Sequence, residues 1–139
     1  MTTAITTDFQ VESVAYCPLF ENDGEPSTLA VACSSLEGSK WNGELLMVDG
    51  MTGETLCTAE LPSSTSQVVW CGTDYSMVAL ACDDSYIRVV NIEMDVDFRA
   101  EVQSTAVQTV GHEAPVTSLS THAKDVNQII SAAFDTTYV

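Results

Sequence analysis

Apolar positions along this chain fall in short runs separated by Gly, Pro, Ser, Asn and Asp. Runs rich in β-branched and aromatic residues, bounded by such turn formers, predict β-strands. They lie at Val11–Tyr16, Thr28–Ser34, Glu44–Val48, Thr55–Leu61, Gln67–Cys71, Met77–Cys82, Ile87–Ile92, Arg99–Val102, Val116–Ser120, Gln128–Ala132 and Thr137–Val139. No stretch joins a capping residue to an apolar stripe at i, i+3 and i+4 over three turns, so no amphipathic helix is predicted. The pattern is that of an all-β chain.

The runs also repeat as a group. Leu29-Ala-Val-Ala-Cys33-Ser, Val78-Ala-Leu-Ala-Cys82-Asp and Ile129-Ile-Ser-Ala-Ala133-Phe hold equivalent places. One apolar run precedes each (Val14-Ala-Tyr16, Val68-Val-Trp70 and Val116-Thr-Ser-Leu119), and another follows (Leu45-Leu-Met-Val48, Ile87-Arg-Val-Val90 and Tyr138-Val139). A unit of about four short strands approaches the ~40–45 residues of a propeller blade. Blades are expected at 11–61, 66–103 and 110–139, the last truncated, with insertions at Leu19–Ser27 and Glu37–Asn42. Propellers close with about four to eight blades, so the chain reads as the N-terminal three of a ring of roughly seven. The segment Ile5–Gln10 is then placed to join the last blade.

These residues resemble the WD-repeat family. Val110-Gly-His112-Glu-Ala-Pro-Val116-Thr-Ser-Leu119 is similar to the Gly-His opening of such a repeat, and Ile130-Ser131-Ala-Ala-Phe-Asp135 to its second strand. In the family a His, a Ser, an Asp and a Trp form a hydrogen-bonded structural network. The resemblance assigns its first three places to His112, Ser131 and Asp135. Asp49-Gly-Met-Thr-Gly53-Glu-Thr-Leu56 looks like the segment after a Trp-Asp pair, with Val48 in place of Trp. The second repeat has Val90-Asn91 there and no Gly-His, so its polar network is expected to be missing.

One stretch is more particular than the repeat pattern. Cys33-Ser-Ser-Leu-Glu-Gly38-Ser-Lys-Trp41-Asn-Gly43-Glu-Leu-Leu46 resembles a strand–loop–strand of the methylosome protein 50 group. The likeness extends upstream through Gln10–Tyr16 and downstream through Val68-Val-Trp70-Cys-Gly72 and Val78–Ser85. It implies a non-catalytic partner of the type II protein arginine methyltransferase that makes symmetric dimethylarginine, in the cytoplasm and nucleus. It further implies that Trp41 inserts into the methyltransferase, and that the complex presents basic substrates such as histones or Sm proteins. Ser39, Lys40 and Asn42, which flank Trp41, depart from the group and would make the rim contacts.

The residues themselves leave two readings of Trp41 open. Asn42-Gly43 between apolar runs is a hairpin-turn signal, because both residues tolerate positive φ. A Trp beside such a tip is thrown clear of its own blade, and Trp is enriched among interface anchors. The other reading has Trp41 folded back as ordinary packing. The chain would then be a generic WD-repeat scaffold, such as a histone chaperone-like protein or a ubiquitin-ligase substrate receptor.

Charge narrows the partners. Four Lys and Arg stand against twenty Asp and Glu, a formal net charge of −16. Phosphate binding needs clustered cations, so neither nucleic acid nor an anionic membrane is an expected partner. Acidic groups at Glu21, Asp23 and Glu25, at Asp83 and Asp84, and at Glu93, Asp95 and Asp97 suit basic proteins instead. No apolar run approaches the ~20 residues of a membrane-spanning helix. The N-terminus has neither the basic start nor the apolar core of a signal peptide.

Catalytic chemistry finds no support. Cys17, Cys33, Cys57, Cys71 and Cys82 form no Cys-x-x-Cys pair, and only His112 and His122 could join them, so no metal site or cofactor is implied. They read as small buried hydrophobes. No Gly-x-Ser-x-Gly elbow surrounds a Ser, and Gly50-Met-Thr-Gly53 is too short for a phosphate loop. The chain is expected to be a non-enzyme.

Overall fold

The computed structural model describes residues 4–18, 28–94, 100–108 and 112–139. The Leu19–Ser27 insertion, the acidic residues Glu21, Asp23, Glu25, Asp95 and Asp97, and Gly111 of the Gly-His pair lie outside them. Among the described residues there are ten strands and no α-helix. They are β1 (Gln10–Tyr16), β2 (Thr28–Glu37), β3 (Lys40–Asp49), β4 (Thr55–Leu61), β5 (Thr65–Cys71), β6 (Met77–Cys82), β7 (Ile87–Met94), β8 (Ala100–Gln108), β9 (Val116–Thr121) and β10 (Ile129–Ala133). Within each sheet successive strands pair antiparallel, giving sheets β1-β2-β3-β4, β5-β6-β7-β8 and β9-β10. An isolated bridge between Ala132 and Tyr138 extends the third sheet. The expected all-β propeller architecture is present: two four-stranded blades and the beginning of another, packed face to face.

The face-to-face stacking explains why the strands read as continuous apolar runs. A strand covered on both faces needs apolar side chains at both parities. In β3, Leu45 and Met47 join Ala30 and Ala32 against Val68, Trp70, Val78, Leu80 and Val90 of the second sheet. Leu46 and Val48 point the other way and cluster with Leu29, Val31 and Cys33. The second sheet repeats this arrangement, placing Cys71, Ala79, Ala81 and Ile87 against Val116 and Leu119. Polar ties join the inner strands: Trp70 Nε1 donates to Ala15 O at 3.0 Å, and the Val68 amide to Ser13 Oγ at 3.2 Å.

Two strands outrun their expected ends, and the turn between them moves. β2 and β3 stay paired from Thr28↔Asp49 out to Glu37↔Lys40, so the hairpin turn is Gly38-Ser39. Gly38 takes φ +65 while Ser39 keeps a negative φ, the sign pattern of a type II′ turn. The Glu37–Asn42 stretch is thus the end of this hairpin, two strand ends and a two-residue turn, rather than an insertion. Asn42-Gly43 is not the turn: both residues lie within β3, opposite Ser35 and Ser34. β8 also runs past Val102 to Gln108, pairing with all of β7, because an outermost strand can be largely polar and still complete a ladder.

Candidate protein-interaction site

The β2–β3 hairpin projects beyond the buried part of the first sheet and carries Trp41. Strand alternation puts Trp41 on the same face as Gly43, Leu45 and Met47, the face turned toward the second sheet. Gly43, Leu45 and Met47 are buried, whereas Trp41 at the end of the row is 47 % exposed. Its cross-strand partner Leu36 is 54 % exposed, so the tip presents a paired apolar surface.

The residues flanking Trp41 do not form one patch with it. Lys40 and Asn42 fall on the opposite face by alternation, where they line a cleft of about 510 Å³ with Phe9, Glu37, Glu44 and Glu60. Ser39 is exposed in the turn. In that cleft Glu44 and Glu60 sit directly across the β3–β4 ladder. Burial, then the Glu60 charge, then Asp8 raise the Glu44 carboxyl above its ordinary pKa.

Trp41 lines a smaller cleft, about 190 Å³, with Glu12, Ser34, Ser64, Thr65, Ser66 and Asp83. The sequence reading missed this gathering, because five segments spread from residue 12 to residue 83 contribute to it. The backbone explains their approach. A β-carbon at residue 43 would overlap the Ser63 carbonyl oxygen, so only glycine lets the β4–β5 connection cross β3 this closely. Ser64 and Thr65 follow directly, and the Thr65 amide donates to Ser34 Oγ at 3.4 Å.

Polar networks secure the turns on this edge. In the third sheet His112 Nε2 lies 2.8 Å from Ser131 Oγ and Nδ1 lies 3.0 Å from Asp135 Oδ2. With the hydrogen on Nδ1, the ring donates to the carboxylate and accepts from the serine. Thr137 donates its hydroxyl to Asp135 Oδ1 at 2.6 Å, and Glu113 its amide to Oδ2 at 2.8 Å. The Thr137 hydroxyl foremost, with the Glu113 and Thr137 amides and the His112 ring, holds the Asp135 carboxyl well below the usual carboxylate range.

The second repeat has no His–Ser–Asp network among its described residues, but a different set of polar contacts ties its turn. Arg88 Nη1 and Nη2 donate to Asp84 Oδ1 and Oδ2 at 2.8 and 2.7 Å, with the guanidinium buried. Ser63 Oγ accepts the Asp84 amide at 3.2 Å, and the Ser64 hydroxyl donates to Asp83 Oδ2. Ser63 and Ser64 therefore tie this turn, and an Arg–Asp fork is found here rather than a His–Asp pair. Asp84 is consumed by Arg88, so the Asp83-Asp84 turn offers a partner only the exposed Asp83. Glu93 is exposed on β7.

Cys17, Cys33, Cys71 and Cys82 are buried and Cys57 is half-buried. Burial pushes the Cys71 thiol up to about 11. Among the described residues no group of His, Cys, Asp and Glu could hold a metal ion, and no helix is long and apolar enough to cross a membrane.

Among solved structures the chain is similar to Sqt1 from Chaetomium thermophilum, a WD-repeat protein, with a TM-score of 0.73 and 14 % sequence identity. The alignment covers 94 % of this chain and 32 % of that one, so the chain spans about a third of its length. At this identity the likeness establishes the fold. No protein-family profile matches the chain, and no curated protein sequence matches it.

Proposed function

We propose that this WD-repeat chain is a non-catalytic adaptor subunit of a methylosome-like complex. Trp41 anchors a type II protein arginine methyltransferase, and the acidic surface helps present histone or Sm-type substrates. One observation carries the reading: Trp41 is half exposed near the tip of a tight, fully paired hairpin, opposite a similarly exposed Leu36. A preorganised hairpin spends little conformational entropy on docking, and an aromatic with few rotatable bonds is an efficient anchor. The formal charge of −16 suits basic substrates, with an on-rate that falls as salt rises.

The test is capture of the symmetric arginine methyltransferase by the wild-type chain and by Trp41→Ala. A desolvated Trp anchor is worth roughly 2–4 kcal/mol, about thirty- to a thousand-fold in affinity. Loss of that size, with an unchanged melting temperature, supports the adaptor. A second reading rests on Trp41 continuing the row of Gly43, Leu45 and Met47 toward the second sheet. There Trp41 is packing in a WD-repeat scaffold with another partner. Failure of the folded wild type to capture the methyltransferase, or a Trp41→Ala variant that melts lower but binds normally, favours that reading.

A further inference from the structure

We infer that Asn42 is a latent deamidation site, held closed by the β2–β3 ladder, and that its conversion to isoaspartate releases Trp41 from its place on the hairpin. The inference concerns the chemistry of the chain itself and is independent of which partner covers Trp41.

Asn42-Gly43 is the one Asn-Gly pair in the sequence. The reaction is intramolecular. The Gly43 nitrogen attacks the side-chain carbonyl carbon of Asn42, the new N–C bond closes a five-membered succinimide, and ammonia leaves carrying the amide proton. Water then opens the ring at one of its two carbonyls. One opening gives aspartate; the other gives isoaspartate, whose main chain runs through the former side chain. Glycine favours the attack because no β-carbon shields its nitrogen and its backbone turns freely.

The fold sets the rate. Ring closure needs Asn42 Cβ and the Gly43 nitrogen eclipsed about the intervening Cα–C bond, whereas an extended residue turns them well apart. Both residues lie within β3, opposite Ser35 and Ser34, and Gly43 is also opposite Leu61 and beneath the Ser63 carbonyl. The reaction therefore waits for the hairpin to open. That opening is local. Among the described residues Lys40, Trp41 and Asn42 pair with β2 alone, because the β3–β4 ladder starts at Gly43. A two-stranded ribbon is marginal by itself, so this tip frays more readily than the blade unfolds. Asn42 is the last residue of the ribbon and Gly43 the first of the wider sheet.

The same boundary fixes the consequence. Isoaspartate inserts one extra carbon into the main chain between residues 42 and 43. Gly43 is held under Ser63, so the added length falls on the tip side, and Trp41 and Lys40 lose their places opposite Leu36 and Glu37. Both products also put a new carboxylate into the cleft that Asn42 lines with Glu44 and Glu60, where like charges repel.

The experiment ages the whole chain in mildly alkaline buffer beside the peptide acetyl-Lys-Trp-Asn-Gly-Glu-Leu-amide. Deamidation is read from the mass and chromatographic isomers of the tryptic peptide that begins at Trp41. The folded chain is expected to react at least about tenfold more slowly than the peptide, since only its open fraction is competent. Gly38→Val has room for its side chain but strains the positive φ of the turn, and should speed the reaction about five- to thirtyfold. Should that variant not fold, urea below the unfolding transition opens the tip in its place and should raise the wild-type rate. In the isoaspartate product acrylamide should quench Trp41 more strongly. Asn42→Asp, which adds the charge without the extra carbon, should be quenched as wild type. A rate equal to the peptide's, or one moved by neither Gly38→Val nor urea, overturns the protection by the ladder. An isoaspartate product quenched as the unmodified chain, or an Asn42→Asp variant quenched as strongly as that product, overturns the release of Trp41 through chain lengthening.

Discussion

Gly43 lies directly beneath the carbonyl of Ser63, so close that a side chain of even one carbon would collide with the oxygen. The contact clamps the β4–β5 connection over β3 and sets Ser64 and Thr65 beside Trp41. Within a strand, Gly→Ala usually helps, by restricting the unfolded chain. Here it should do the reverse. Gly43→Ala is expected to cost roughly 1–3 kcal/mol, the usual range for overpacking a filled site, measured by urea unfolding. A neutral or stabilising result would mean that the connection does not cross there.

The two tryptophans should separate cleanly in a quenching experiment. Trp70 is 6 % exposed and tied to Ala15, whereas Trp41 is 47 % exposed. Acrylamide should quench two populations, the red-shifted one accessible and the blue-shifted one protected. Trp41→Phe should abolish the accessible component alone. Uniform protection in the wild type would mean that Trp41 folds back onto the first sheet.

The Arg88–Asp84 fork predicts an asymmetric pair of substitutions. Asp84→Ala leaves a buried guanidinium without its acceptor and should cost roughly 2–4 kcal/mol, since Asp84 is partly exposed and the full buried-pair penalty is not reached. Arg88→Met keeps the packing volume and leaves Asp84 with water and backbone donors, so it should cost less. Urea midpoints for the two variants decide the order, and equal losses would refute the argument.

Acid should act in two opposed steps. Glu44 has a raised folded-state pKa, so it binds protons more readily in the folded chain. Its unfavourable contribution at neutral pH fades as pH falls through that value, complete below its unfolded pKa of about 4.3. Asp135 and Asp84 behave oppositely. Burial pushes Asp84 up, but the Arg88 hydrogen bonds and charge outweigh it and leave it lowered; Asp135 is lowered chiefly by Thr137. Their stabilisation is full above about 4 and is lost as pH falls toward their folded values. Thermal melts should show Glu44→Gln losing the gain on mild acidification. The deficit of Asp135→Asn relative to wild type should shrink below pH about 4.

Most strands were legible because burial on both faces writes itself into the sequence as unbroken apolar runs. Thr55–Leu61 and Met77–Cys82 fall where the pattern puts them. The tip of the first hairpin was not legible. Asn42-Gly43 reads locally as a turn, yet Gly43 is required by a carbonyl twenty residues away in the chain, and Gly38 supplies the positive φ instead. The second repeat's network was hidden for a related reason: nothing in Ser63-Ser64 alone predicts that it meets Asp83 and Asp84.

By itself, then, the sequence determined the all-β class and the recurrence of short strands, since alternation, turn residues and strand length are local quantities. Tertiary structure alone decided that the face bearing Trp41 turns toward the second sheet, that the Ser63 carbonyl lies over Gly43, and that Arg88 pairs with Asp84. Those facts depend on how two sheets stack, and stacking brings together residues whose separation along the chain carries no local signal.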